Sequence, residues 1–153
     1  MSREFITKEV DKIFEDKNLS FPKNMALSAA WVLGNFKGIN LKILDVSKTS
    51  SLADYYVLGS ATNLTQAKSM AEEIGFQMRR RGHEVLSKEG MSDADWILID
   101  FGDIIVHVFL ESSRDVYDLD NLWTGAPTVE IPQSYYFSSD ENPSSSSNDR
   151  GYF

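Results

Sequence analysis

Two short apolar runs between Asp95 and Leu110, separated by Phe-Gly-Asp, constrain the fold more than any other part of the chain. The second run is rich in β-branched and aromatic residues, which is typical of a buried strand rather than a helix. Gly102 tolerates the positive φ that tight turns need, so we predict a β-hairpin. Because both strands are apolar on both faces, we expect this hairpin in the middle of a sheet that is covered on each side.

Three polar side chains interrupt the hairpin, and none of them predicts catalysis. Asp100 and Asp103 flank the turn, where carboxylates commonly act as turn formers. His107 lies among apolar residues, where we expect a hydrogen-bonded core histidine or one with its edge at the surface. Asp100-Phe101-Gly102 spells the kinase metal-binding triplet, but the chain has no glycine-rich phosphate loop and no His-Arg-Asp catalytic loop. With no cysteine and no histidine paired at ligand spacing, we expect no metal and no cofactor.

Composition and charge favour a single globular domain and argue against a nucleic-acid binder. The chain has 153 residues, 42% of them hydrophobic, and a net charge of −8. This charge argues against a dedicated nucleic-acid binder, which needs a basic surface to neutralise phosphates. Between Met91 and Glu130 there are nine acids and one base, Arg114. A region this acidic either meets a basic partner or remains solvated.

Charge and turn signals divide the chain into three parts. Residues 1–20 form a charged extension, in which Thr7 could cap a short helix that runs to about Lys17. Residues 21–133 form the folded domain, and residues 134–153 form a serine-rich tail that we expect to be disordered. The first residues carry charges where a signal peptide needs apolar ones, and no apolar run reaches the roughly 20 residues of a membrane helix. We therefore expect a soluble, cytoplasmic protein.

The remaining patterns predict an α/β domain with a mixed sheet of about five strands and flanking helices. A helix follows Pro22 and ends at Gly38, and a second helix runs from about Leu64 to Arg80, capped by Thr62 or Asn63. The other predicted elements are strands at Leu41–Val46, Tyr55–Leu58 and His83–Ser87, and a helical segment from Ser112 to Trp123 with Val116, Leu119, Leu122 and Trp123 facing inward.

Gly59 and Ser60 suggest a second function class. A Gly-Ser turn before a helix is similar to the opening of nucleotidyltransferase folds, where free N–H groups at the helix start favour a triphosphate. Such enzymes also need paired carboxylates to hold magnesium, and nothing shortly after Ser60 supplies them. A nucleotide-binding or nucleotidyltransferase enzyme therefore stays as the alternative hypothesis.

Several motifs, taken in order, resemble one family. They are Asp45-Val46, Ala53-Asp54-Tyr55-Tyr56-Val57, Gln66, the hairpin from Trp96 to Phe109, Arg114 with Tyr117-Asp118-Leu119, Leu122-Trp123 and Ala126-Pro127. In this order and spacing they are similar to the ribosomal silencing factor family, also called RsfS or Iojap. The resemblance covers about Asn24 to Pro132.

The resemblance implies a nucleotidyltransferase-like fold without catalytic carboxylates, and hence a protein that is not an enzyme. It implies binding to the large ribosomal subunit through ribosomal protein L-fourteen. Bound there, the protein blocks association with the small subunit and represses translation when nutrients are scarce. Organelle relatives act in large-subunit assembly, which is the alternative role. The family includes dimers in isolation, so a homodimer of the free chain is also an expectation.

The partner-binding residues that we predict combine aromatic anchors with nearby acids. For Trp96 and Trp123, packing in the core is an equally good interpretation. The full set is Asp54, Tyr55, Trp96, Asp100, Asp103, His107, Tyr117, Asp118, Leu119 and Trp123.

Overall fold

A computed structural model describes residues 2–92, 95–116 and 119–137, with the backbone alone at 115, 116, 119 and 120. It contains four α-helices and five strands within these residues, followed by 3₁₀ turns at Leu119–Trp123 and Gln133–Tyr135. The helices are α1 (Arg3–Phe14), α2 (Lys23–Asn35), α3 (Leu64–Arg80) and α4 (Glu111–Val116). The strands are β1 (Ile39–Asp45), β2 (Tyr55–Ala61), β3 (Ser87–Glu89), β4 (Trp96–Asp100) and β5 (Ile104–Leu110).

The strands form one mixed sheet in the order β1-β2-β5-β4-β3. Strand β5 is the central strand; it runs parallel to β2 and antiparallel to β4. The two outer pairs, β1 with β2 and β3 with β4, are antiparallel. The prediction of a mixed five-stranded sheet with flanking helices is confirmed.

The predicted hairpin is β4 and β5, joined by a turn in which Gly102 has φ +94°. The Phe101 N–H closes this turn on the carbonyl of Ile104 at 3.0 Å. Strand β5 is buried along six of its seven residues. In β4, by contrast, only Ile97 and Ile99 are buried, so the expectation that both strands are covered on each side is wrong for β4.

Residue alternation gives the sheet two different faces. The face packed under α2 and α3, called here the helix face, carries the main core, including Val57, Ile74 and Val106. The opposite face, called here the aromatic face, has a small core of Leu44, Val46, Leu58 and Phe109, with Tyr56, Trp96, Trp123 and Ala126 partly buried around it. The aromatic face therefore has a smaller core, surrounded by rings that remain partly accessible to solvent.

Helix α1 begins earlier than predicted and is held to α3 by polar contacts. Ser2, not Thr7, is its N-cap, with Oγ accepting from the Phe5 N–H at 3.1 Å. Thr7 Oγ1 instead accepts from Gln77 Nε2 of α3 at 3.1 Å. Ion pairs complete the attachment: Arg3 with Glu73, Arg80 with Asp11, and Arg81 with Asp11 and Glu15.

Three other boundaries depend on backbone contacts. Asn63 caps α3, and the predicted bounds of this helix are confirmed. At the end of α2, Lys37 rather than Gly38 adopts a positive φ, and the Gly38 N–H bonds to the Leu33 carbonyl at 2.8 Å. The predicted strand His83–Ser87 is wrong, because the His83 N–H bonds back to the carbonyl of Met78. The strand there, β3, covers Ser87–Glu89.

Replacing Ile6 by alanine tests whether α1 contributes to the core. Ile6 is 2% exposed within the main cluster, and removing a buried isoleucine side chain costs about 2–5 kcal/mol. We expect Ile6→Ala to lower the free energy of unfolding, measured in urea, by an amount in that range. Lys8→Ala, an exposed site on the same helix, is the control and should change little. Equal stability of the two variants would contradict packing of α1 against the core.

Candidate functional site

The aromatic face is centred on His107, which strand alternation places with Phe109 on β5. Its imidazole centroid lies 5.0 Å from the Tyr56 ring and 5.2 Å from the Trp123 ring. Trp96 on β4 is 5.8 Å away, and it also packs against Phe109 at 5.3 Å. Strands β2, β4 and β5 and the turn before residue 124 thus build one continuous cluster of rings.

His107 is a hydrogen-bonded core residue, as expected. It is 4% exposed, and its Nδ1 accepts from Trp96 Nε1–H at 3.0 Å. Burial lowers the pKa of His107 from 6.5 to about 4, because the apolar surroundings disfavour the charged imidazolium. The imidazole is therefore neutral at physiological pH.

Trp123 covers one side of this cluster from outside the sheet. Its ring packs edge-on against Tyr56 at 5.8 Å and against Trp96 at 6.2 Å. Beside it lies a cavity of about 300 Å³, whose walls include Leu44, Leu58 and Gly125. Trp123 therefore both packs on the core and borders open space.

Leu122 does not face inward as predicted: 59% of it is exposed. The prediction assumed one α-helix from Ser112 to Trp123, whereas α4 ends at Val116 and a 3₁₀ turn covers Leu119–Trp123. A 3₁₀-helix has about three residues per turn, fewer than an α-helix, so a different set of side chains shares each face. Leu122 is thus an exposed apolar residue next to Trp123, and sequence patterning alone did not identify it.

Asp54, Asp100 and Asp103 lie together at one end of the sheet, where β2 and β5 begin and β4 ends. The Asp54 N–H donates to the Asp103 carbonyl at 2.9 Å. Asp100 Oδ1 accepts from the Gly102 N–H at 2.8 Å, which is the turn-forming role. Asp103 is exposed, so its charge faces solvent. On β4, Asp100 and Trp96 are four residues apart on the same face, which separates them by about 13 Å.

The other predicted partner-binding residues are placed differently. Tyr55 packs against the main cluster, so its ring is on the helix face and not with Tyr56. Burial, with Asp45 and Asp54 nearby, raises its pKa. Tyr117 and Asp118 lie outside the described residues, as does the side chain of Leu119.

Arg114 is a structural residue that the motifs alone did not explain. It is 2% exposed, and its Nη1 donates to the Asn40 carbonyl at 2.7 Å and to Ser60 Oγ at 2.8 Å. Its guanidinium carbon is 5.3 Å from the centroid of the Phe109 ring. Arg114 therefore fixes α4 to the sheet. In the sequence, Arg114 stands out as the one basic residue in the acidic stretch 91–130.

Gly59 and Ser60 do not form the predicted turn. Both lie inside β2, paired in parallel with Val108 and Phe109. A Cβ at position 59 would lie 3.0 Å from the side chain of Leu33, and Ser60 is fully buried. The prediction is wrong because pairing with β5 extends the strand, so this dipeptide is not a phosphate-binding turn.

Metal-ligand clusters and membrane-spanning helices are both absent from the described ranges. Residues 2–92, 95–116 and 119–137 contain no group of three His, Asp or Glu residues that could hold a metal ion. In the same part of the chain, no helix is long and apolar enough to cross a membrane.

Comparison with known proteins decides the family. The family model described as "Ribosomal silencing factor during starvation" matches residues 20–152. This chain belongs to the ribosomal silencing factor family. It is 32% identical over 109 residues to the ribosomal silencing factor RsfS of Bacillus subtilis, covering 71% of this chain and 92% of that protein.

Two further proteins are similar to this chain. A crystal structure of a Bacillus halodurans protein superposes with a TM-score of 0.59 at 31% identity, covering 70% of this chain and 94% of that one. The mouse protein named "Mitochondrial assembly of ribosomal large subunit protein 1" is 28% identical over 85 residues, or 54% of this chain and 37% of that protein. Because the family match begins at residue 20, α1 precedes it.

The lowered pKa of His107 predicts that the folding stability of this protein depends on pH. Between about pH 6.5 and pH 4, the unfolded chain binds a proton at this position and the folded chain does not. Stability should therefore fall as the pH is lowered through this range, by up to about 1.4 kcal/mol per pH unit. Urea unfolding at several pH values should show a shallower dependence for His107→Asn than for the wild type. Parallel curves would contradict a buried, neutral His107.

Proposed function

We propose that this chain uses its aromatic face to bind the large ribosomal subunit through ribosomal protein L-fourteen. Bound there, it blocks association with the small subunit and represses translation under nutrient limitation. The observation that carries this proposal is the half-buried ring cluster with acids at its end, on the sheet face that α1, α2 and α3 leave uncovered.

The cluster has the chemistry of a protein-binding surface. Tryptophan and tyrosine that are only partly buried dominate protein interfaces, because rigid rings bury large apolar areas at a small entropic cost. Trp96, Trp123 and Tyr56 have this partial exposure, and Leu122 adds an exposed aliphatic side chain. These four residues form the proposed apolar centre of the interface.

The acids indicate the charge of the partner. Asp54, Asp100 and Asp103 create a negative end beside the rings, and exposed Asp95 and Glu111 add charge at the opposite end. Such a border accelerates encounter with a basic protein and opposes close approach of RNA phosphates. This supports a ribosomal protein, rather than ribosomal RNA, as the direct contact.

The proposed interface keeps the predicted residues, with different roles. Tyr55 contributes from the end of β2 rather than through a ring on the aromatic face. The proposed set remains Asp54, Tyr55, Trp96, Asp100, Asp103, His107, Tyr117, Asp118, Leu119 and Trp123, joined by Tyr56 and Leu122.

A binding role also fits the chemistry around His107 better than catalysis does. Its hydrogen bond comes from an indole N–H and not from a carboxylate or a hydroxyl, so the described residues do not give it the partners of a catalytic base. The printed name of the mouse relative concerns large-subunit assembly, which favours assembly of this subunit as the second candidate function. In either role we place the protein in the cytoplasm.

Sedimentation with purified ribosomal subunits tests the proposal. We expect the protein to pellet with large subunits, and we expect fewer joined ribosomes when small subunits are then added. Co-sedimentation without an effect on joining would replace silencing by the assembly role. Absence of co-sedimentation would overturn the proposal.

Asp103→Lys tests the contribution of the acidic end. Asp103 is exposed, so the charge reversal should leave the fold unchanged and weaken large-subunit binding about 10-fold, with a smaller dependence on salt. Glu72→Lys makes the same charge change at an exposed site on α3 and should bind within about two-fold of the wild type. Equal losses in the two variants would indicate a general charge effect and not an interface at Asp103.

A further inference from the structure

The imidazole of His107 has one hydrogen-bond donor that the described protein does not use. Because Nδ1 accepts from Trp96 Nε1–H, the proton of the neutral ring is on Nε2. Nε2 is buried and has no hydrogen-bond partner among the described residues. A buried donor without an acceptor costs folding free energy, which suggests that it serves another purpose.

The rings around His107 give this donor at best a weak acceptor. Tyr56, Trp96 and Phe109 belong to the strands, at centroid distances from 5.0 Å to 6.2 Å from the imidazole. Contacts of an N–H with an aromatic face are much weaker than a bond to oxygen. Of the four rings that the described residues place around the imidazole, only that of Trp123 comes from outside the sheet.

Trp123 packs against rings of the sheet on one side and borders a cavity on the other. The cavity of about 300 Å³ lies directly beside it. The chain that follows is held to β1, since Asp45 N–H donates to the Pro127 carbonyl and Val129 N–H to the Ile43 carbonyl, both at 2.8 Å. A change in this region would therefore centre on the indole, which would leave its contacts with Tyr56 and Trp96, turn into the cavity and uncover the imidazole.

We propose that the partner bound to the aromatic face turns the Trp123 indole aside and places a backbone carbonyl oxygen on His107 Nε2–H. This inference rests on the proposed function, because it assigns a contact within the same interface. A protein carbonyl is favoured over an RNA phosphate, since the exposed acids Asp95, Asp103 and Glu111 outweigh exposed Lys42, which lines the cavity beside Trp123. His107 is then a specificity-determining residue: a partner without an acceptor at this point leaves the donor buried and unmet.

Two substitutions distinguish the contributions of the two ring nitrogens of His107 to binding. The amide of His107→Gln reaches the position of Nε2, whereas the amide of His107→Asn reaches that of Nδ1. We expect the glutamine variant to bind large subunits within about three-fold of the wild type. We expect the asparagine variant to bind about 10-fold more weakly, equivalent to about 1.4 kcal/mol. Circular dichroism verifies that both variants fold.

The reverse order of affinities would overturn the inference, because it would mean that His107 acts only by holding Trp96. Equal affinities of both variants and the wild type would overturn it as well, while leaving the proposed function intact. If the wild type does not bind large subunits at all, the proposed function fails and the inference fails with it.

A direct measurement needs no substitution. The chain has two histidines, so an imidazole ¹⁵N–¹H spectrum of the full chain contains few signals. Adding purified ribosomal protein L-fourteen should shift the His107 Nε2–H proton downfield, as a new bond to oxygen requires, and leave the His83 signals in place. An unshifted Nε2–H in the bound state, or a shift that needs the whole subunit, would overturn the inference.

Discussion

The parallel pairing of β2 with β5 is the constraint on which the rest of the structure depends. Seven consecutive residue pairs, from Tyr55 with Ile104 to Ala61 with Leu110, align two strands that are far apart in sequence. This register places Tyr56 and His107 on one face, with Val57 and Val106 on the other. A shift by one residue would exchange the faces of β2 and divide the ring cluster.

The two faces of the sheet contribute differently to the stability of the protein. The helix face is covered by α2 and α3 and contains most of the buried apolar side chains, so it supplies most of the stability. The aromatic face has a smaller core and keeps partly exposed rings, an exposed Leu122 and a buried imidazole donor that has no partner among the described residues. These features lower the stability of an isolated chain, and each becomes favourable when a partner covers the face.

Local patterns predicted the parts of this structure that local interactions determine. The hairpin followed from two apolar runs around Gly102, and α3 followed from helical spacing with a cap at Thr62 or Asn63, of which the structure uses Asn63. Gly59 and Ser60 were predicted wrongly because a Gly-Ser dipeptide favours a turn only in the absence of a neighbouring strand. Pairing with Val108 and Phe109, and the bond from Arg114 to Ser60 across 54 positions, overrides that preference.

The candidate site was predictable to a similar degree. Alternation within the hairpin places Trp96 and His107 on a common face once the register is known, but the position of Tyr56 requires the contact between β2 and β5. The exposure of Leu122 depends on the change from α-helix to 3₁₀ turn near the end of α4, where helical periodicity no longer applies.

Helix α1 has a practical consequence for experiments on ribosomes. Its first turn is held by Arg3, which forms an ion pair with Glu73 and lies over the Phe76 ring at 3.8 Å. Both partners belong to α3, on the side of the sheet opposite the rings. A fluorophore or affinity handle joined ahead of Ser2 would therefore project away from the proposed docking surface, and the protein could be immobilised or imaged with that surface unobstructed.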